Sequence, residues 1–281
     1  MVLDDKGLDA LWNGTPDKGT LRFATLMAPS EDAMFRAAVA AAEGAGYAVK
    51  VVDVDPWEER RRLIDTGEVD VAWLCSLPYI RMADEPRPRV ELLAAPVMEG
   101  DRYAGKPVYF SQVVVRADSS FETFEDLRGA SFGYNEPASH SGYEVMRYRL
   151  ADGGLGDGFF GEVVETGSHL ASLEMLLRGE LDTACIDTMV LDLRLKQRPE
   201  LEKELKVIET LGPSPVPPFV AQVALEPDVR RDLRAALTGL DQTGEGRTIL
   251  RRGGLVRFAA VVDSDYDEIR RMAALAETVK L

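Results

Sequence analysis

The sequence predicts an α/β protein of two lobes, each a mostly parallel sheet flanked by helices, with two crossings between them. Three observations carry that expectation. Its 281 residues, 46% of them hydrophobic, suffice for two ordinary cores. Short β-type runs alternate with amphipathic helical stretches from residue 21 onward, the order that builds parallel, right-handed strand–helix–strand units. The run Gly212-Pro213-Ser214-Pro215-Val216-Pro217-Pro218 reads as irregular chain returning from one lobe to the other, because proline cannot donate to a ladder.

Residues 1–20 hold Gly14, Pro16 and Gly19 and read as a loosely ordered lead-in. Leu21–Met27 is a strand ending at Ala28-Pro29-Ser30, and Asp32–Glu43 a helix with Phe35, Val39 and Ala42 on one face, stopped by Gly44-Ala45-Gly46. Tyr47–Val54 is a second strand, Trp57–Thr66 a charged helix, and Val69–Leu74 a third strand with Leu77-Pro78-Tyr79 as its exit. Ligands in such sheets collect beyond the carboxyl ends of strands, here Ala28-Pro29-Ser30, Asp55-Pro56-Trp57 and Cys75-Ser76. Val90–Val97 and Val108–Arg116 are further β-type runs, the second long enough to leave the first lobe. A new unit follows: a short helix opening in Ser120–Leu127, strand 130–134, helix 141–151, strand Phe160–Glu165, helix Ser168–Arg178, strand Leu181–Ile186, helix Leu191–Leu205 and strand Leu205–Leu211. After the return, Phe219–Leu225 is a strand and 227–281 mostly helical. The expected lobes are 1–110 with 219–281, and 111–218, with crossings at Val108–Ser111 and Ser214–Phe219.

Net charge is -15 with a pI near 4.7, and the basic residues are dispersed, so no footprint for a nucleic-acid backbone exists. The same field repels small anions, so an anion site here must use local N–H and hydroxyl donors in a closed pocket. Cys75 and Cys185 are far apart in apolar runs and read as reduced core thiols. No apolar run reaches the ~18 residues of a membrane span, and Met1-Val2-Leu3-Asp4-Asp5-Lys6 lacks the features of a signal peptide. As written the chain reads as soluble and cytoplasmic; removal of an export signal would make it extracytoplasmic. Gly100–Pro107 nearly spells a phosphate loop, but Pro107 stands where Ser or Thr belongs, and Gly156–Gly161 spells G-x-G-x-x-G between a helix and a strand, the reverse of the dinucleotide context. With His140 and His169 as the only histidines, metal chemistry has few candidates, and neither metal nor cofactor is expected.

The stretch Asn135-Glu136-Pro137-Ala138-Ser139-His140-Ser141-Gly142-Tyr143 joins the strand 130–134 to a helix. The first N–H groups of a helix lack intrahelical partners and carry partial positive charge, so an oxyanion can be held there without Lys or Arg. Ser139 and Ser141 would add hydroxyls and Gly142 a close backbone approach; taken on this stretch alone, the favoured reading is the plainer one, that either Ser simply caps the helix.

Several strings resemble the substrate-binding proteins of phosphonate and phosphite ABC transporters, of the type II periplasmic-binding fold. They are Val69–Leu74, Tyr109-Phe110-Ser111 with Val113–Val115 and Ala117-Asp118-Ser119, Phe124–Gly129, Pro137–Tyr143, and Gly167-Ser168-His169 with Gly179–Asp182, within about residues 20–260. The resemblance implies an oxyanion held by Ser139, His140, Ser141 and Gly142, by Tyr109 at the crossing, by His169, and by the first-lobe aromatic Trp57. His140 replaces the family's usual Thr, and Met189 and Pro217 stand where acids would bind an aminophosphonate amine, so a smaller or neutral-tailed oxyanion is implied. Cys75 and Ser76 join the candidates by position, Cys75 admitting a soft oxyanion such as arsenite. Asp187 would serve by orienting His169 or by accepting a protonated ligand oxygen. Against these stand plainer roles: Trp57 as a helix-start aromatic, Tyr109 as a sheet residue, His169 as a core histidine, Cys75 as core.

The expected function is therefore a non-catalytic, monomeric receptor for a small oxyanion, closing by hinge motion and serving an ABC permease if exported. Two other readings are a cytosolic or tethered sensor of the same fold, and an enzyme using His169 as acid–base group oriented by Asp187.

Overall fold

A computed structural model describes residues 18–27, 31–54 and 57–281, Trp57 by its backbone alone. The lead-in up to residue 17 and the expected strand ends at Ala28-Pro29-Ser30 and Asp55-Pro56 lie outside the described residues. The chain opens with β1 (Thr20–Thr25), α1 (Asp32–Gly44), β2 (Ala48–Val51), α2 (Trp57–Asp65) and β3 (Val71–Trp73). β1 pairs in parallel with both β2 and β3, as alternating strands and helices require. α1 buries Met34, Phe35, Ala37, Ala38, Ala41 and Ala42, and these small side chains let it lie close to the sheet.

Next come α3 (Ser76–Ala83), β4 (Val90–Met98), β5 (Val108–Arg116), β6 (Ser131–Tyr134), α4 (Val145–Asp152), β7 (Glu162–Glu165), α5 (His169–Leu177), β8 (Thr183–Asp187), α6 (Thr188–Gln197) and β9 (Leu205–Pro215). The chain ends with β10 (Phe219–Gln222), α7 (Pro227–Thr238), α8 (Gly244–Arg252), β11 (Leu255–Ala259) and α9 (Asp267–Ala276). Among the described residues the strands form a six-stranded sheet, order β11-β4-β10-β3-β1-β2, and a five-stranded sheet, order β7-β6-β8-β5-β9. The chain passes between the sheets twice, from β4 to β5 and from β9 to β10. Apolar clusters cover both faces of each sheet.

Both sheets are mixed: β10 runs antiparallel to β3 and β4, and β5 antiparallel to β8 and β9. The antiparallel members include those delivered by the crossings, which enter each sheet from the opposite end. β9 continues through Gly212-Pro213-Ser214-Pro215, a stretch expected to be irregular, and pairs Tyr109 with Ser214 and Val108 with Pro215. It lies at the edge of its sheet, where a missing proline N–H leaves no partner unpaired. α3 forms where only a strand exit was expected; Pro78 falls in its first turn, where N–H groups have no intrahelical acceptor. The expected helix 191–205 instead starts at Thr188, capped by Asp187, and ends at Gln197 before Pro199. Within Ser120–Leu127 only a 3-10 turn, Glu125–Leu127, forms. β11 interrupts the expected C-terminal helical run.

The return crossing is pinned by side chains from the first sheet's side. Trp73 Nε1 donates to Pro217 O at 3.0 Å, the Tyr266 hydroxyl donates to Val216 O at 3.1 Å, and Trp73 stacks on Phe219 at 5.1 Å between centroids. The C-terminal segment spans both sheets. Tyr266 and Ile269 pack with Tyr79 and Ile80 under the first, while Val279 lies with Phe132, Phe159 and Val145 under the second.

Candidate functional site

The loop between β6 and α4 does not enter the α-helix directly. Its first turn, His140–Glu144, is a π-turn in which the Glu144 N–H reaches back five residues to Ser139 O at 3.0 Å. Such wide turns occur mostly as single insertions, frequently at functional sites. Ser139 caps it, its Oγ accepting from the Gly142 N–H at 3.1 Å. Gly142 is tightly enclosed: a Cβ there would run into Asn135 Oδ1 and lie 3.0 Å from His169 Cε1, so either side chain would have to shift.

His169 is the first residue of α5, whose Ser168 cap accepts from the Ala171 N–H at 3.0 Å. Its Nε2 lies 2.9 Å from Ser141 Oγ, which is 3.4 Å from Ser139 Oγ. His140 turns elsewhere. Its Nε2 lies 3.0 Å from Ser214 Oγ of β9, and its backbone N–H meets Cys75 Sγ at 3.4 Å, at the start of α3. The Ser76 hydroxyl donates to Pro215 O at 2.7 Å. His140, Cys75 and Ser76 thus tie the turn, β9 and α3 together across the interface of the two sheets.

From β5, Tyr109 and Ser111 share one face by strand alternation, and Ser111 stands opposite Asp187 of β8. Asp187 Oδ1 accepts from the Met189 N–H at 2.7 Å. Ser76, Tyr109, Ser111, Ser139, His140, Ser141, His169, Asp187 and Ser214 are all buried, yet the Tyr109 hydroxyl, Ser111 Oγ, Asn135 Oδ1 and both histidine Nδ1 atoms have no hydrogen-bond partner among the described residues. Buried polar groups in native proteins are nearly always paired, so orphans gathered around one turn are candidate partners for a polar ligand.

Burial holds both histidines at about 4, so each imidazole is neutral at pH 7. Burial raises the Tyr109 phenol and the Asp187 carboxyl, the latter opposed by the Met189 N–H and the Ser141 hydroxyl. Enclosure pushes the Cys75 thiol up to about 11, although the residue retains some surface. Glu136, beside the turn, is pushed up to about 7 by burial and by Glu165 and Glu58, with Arg61 opposing. Among the principal influences on Tyr109, His140, His169 and Asp187 there is no Lys or Arg. The cluster therefore offers neutral donors and one carboxylate.

The structure brings together Ser139, Ser141, Gly142, Tyr109, His169 and Asp187 of the expected residues, with His140, Cys75 and Ser76 bracing them. The Trp57 side chain lies outside the described residues. Asp187 hydrogen-bonds the Met189 N–H, and His169 Nδ1 is unpartnered among the described residues, so the orienting bond expected from Asp187 to His169 is absent there. Sequence reading missed Ser111, Asn135 and Ser214. The alternation with Tyr109 could have found Ser111, whereas Ser214 was concealed in the proline-rich run. A cavity of about 180 Å³ lined by Met34, Met98, Tyr103, Met189, Asp192 and Lys196 shares none of the cluster's polar side chains.

A family model described as the periplasmic substrate-binding protein of phosphonate ABC transporters matches residues 23–266. The phosphonates-binding periplasmic protein of Escherichia coli is 28% identical over 216 residues, covering 75% of this chain and 62% of the relative. Among solved structures, the binding protein component of a Pseudomonas aeruginosa ABC phosphonate transporter aligns with a TM-score of 0.79 at 21% identity, over 94% of this chain and 87% of the other. A Prochlorococcus marinus protein in complex with methylphosphonate aligns with a TM-score of 0.79 at 18% identity, over 92% and 99% of the two chains. With a match that runs from β1 to the last turn before α9, the chain belongs to the phosphonate-binding family of periplasmic substrate-binding proteins of ABC transporters.

Proposed function

We propose that this chain captures a small phosphonate-type oxyanion between its two sheets and delivers it, outside the cytoplasm, to an ABC permease. The observation that carries the reading is the buried Ser139–Ser141–His169 hydrogen-bonded cluster facing the orphaned Tyr109 hydroxyl. Neutral hydroxyl and N–H donors suit an anion that must be desolvated, and an analogue leaving one of them unpaired loses about 1–3 kcal/mol. The lobes are taken as 1–110 with 219–281, and 111–218, closing on the ligand about the two crossings. Met189, buried where the resemblance would place an amine-binding acid, favours a small or neutral tail. Methylphosphonate and phosphite are therefore preferred to aminoethylphosphonate.

Asp187 spends its acceptor on the Met189 N–H and makes no bond to His169 among the described residues, which supports a binder over a catalyst oriented by that carboxylate. The test is a thermal-shift panel of methylphosphonate, phosphite, phosphate, sulfate, arsenite and aminoethylphosphonate. A ligand at 100-fold excess over its Kd adds about 2.7 kcal/mol, and the first two should do so. A flat response to all six sinks the assignment.

A further inference from the structure

Asp187 is the one member of the polar cluster that, when ionised, cannot donate. It is 2% exposed, the Met189 N–H occupies one of its lone-pair positions, and the Val190 N–H and the Ser141 hydroxyl also lie toward it, leaving part of its acceptor capacity for a ligand. The titratable groups that share its field are Asp192 of α6, Cys185 of its own strand, Cys75 at the start of α3 and Tyr109 of β5; none is a cation. Its cross-strand neighbour is Ser111, whose hydroxyl is buried and unpartnered among the described residues. An acceptor-only carboxylate without a counter-cation among the described residues, placed in a cradle for anions, repels every oxygen of a fully deprotonated ligand.

We propose that Asp187 reads a proton on the ligand, so that the site accepts oxyanions carrying one acidic O–H and rejects those of equal charge and shape that carry none. This role rests on the anion-binding reading above and makes it narrower. Serine and tyrosine hydroxyls, with the N–H groups of the turn, bind the unprotonated oxygens, and the ligand's own O–H donates to Asp187. Ser111, opposite Asp187 on β5, supplies a further hydroxyl to the same ligand edge. The burial that raises the Asp187 carboxyl to about 7 sets the window for this effect: a protonated Asp187 would itself donate to a bare ligand oxygen, so the discrimination belongs to the ionised carboxylate above that pH.

Methylphosphonate monoanion and methanesulfonate separate the effect, because both bear one negative charge and a methyl group and they differ by the acidic hydrogen. Isothermal titration at about pH 8, where Asp187 is ionised, should give the wild-type chain a preference for the methylphosphonate monoanion of about 100-fold or more, the size expected when a buried polar group is left unmatched. Asp187→Asn keeps an oxygen for the Met189 N–H and can itself donate, so the ratio should fall below about 10-fold. Ser111→Ala should weaken methylphosphonate while keeping the preference, and it remains informative if Asp187→Asn fails to fold. An unchanged ratio in Asp187→Asn, a wild type that binds both anions equally, or loss of the preference in Ser111→Ala overturns the assignment to Asp187 and leaves the anion-binding reading standing. Binding of neither anion by the wild type defeats both.

Discussion

Ser139 and Ser141 look alike in the sequence but occupy different chemical positions. Ser139 caps the turn through the Gly142 N–H, whereas Ser141 hydrogen-bonds His169 and caps nothing. Ser139→Ala should therefore cost about 1 kcal/mol of stability by chemical denaturation. Ser141→Ala should also cost about 1–3 kcal/mol, because it leaves the buried His169 Nε2 unpaired, and should in addition abolish the ligand-induced thermal shift. A Ser141→Ala chain that loses stability but keeps the ligand-induced shift would show that the hydroxyl is structural alone. Glu136 gives a pH prediction. The folded chain keeps this proton to about pH 7, while the unfolded chain releases it near the ordinary 4.5, so this residue's contribution to stability falls as pH rises across that window. Glu136→Gln should raise the melting temperature at pH 8 by a few degrees, about 2–4 °C per kcal/mol removed, and change little at pH 4.5. The hydroxyls, Gly142 and the two histidines were legible because their residue types are rare and their order carries the family's motif. The direction of His140 was not legible, because its partner Ser214 is 74 residues away and only the pairing of β5 with β9 brings it near.

At the scale of elements, sequence periodicity located most strands and helices within a few residues, and its failures share a cause. α3, β9 and the turn 140–144 each depend on where a proline or glycine sits relative to unpaired N–H groups, which composition alone does not reveal. A glycine–proline run reads as irregular until it is known to occupy a sheet edge. Within the π-turn, Gly142 leaves room for the side chains of Asn135 and His169. Gly142→Ala should destabilise by about 1–3 kcal/mol through overpacking against Asn135 and displace Ser141 from His169. A denaturation midpoint equal to the wild type would show that the turn tolerates a side chain.

At the scale of the molecule, two lobes were visible in chain length and in the alternation of elements, but the placement of the C-terminus was not. Beyond Tyr266 and Ile269, anchored under the first sheet, α9 leads to Val279 under the second, where the Arg147 guanidinium donates to Val279 O at 2.9 Å. The Lys280 N–H donates to Asp157 Oδ1 at 2.7 Å, and Arg271 donates to the Tyr148 hydroxyl at 3.0 Å. The spacing of apolar residues along α9 reveals a buried face and says nothing about which of two cores that face joins. A segment fastened to both sheets resists their separation whether or not an anion is bound. In the proposed capture, release of that fastening is then the expected slow step, ahead of the meeting of ligand and protein. In stopped-flow mixing, the observed association rate should level off at high methylphosphonate concentration. Val279→Ala, which loosens one end of the fastening, should raise that plateau, and a rate that climbs linearly without limit would show that the sheets part freely.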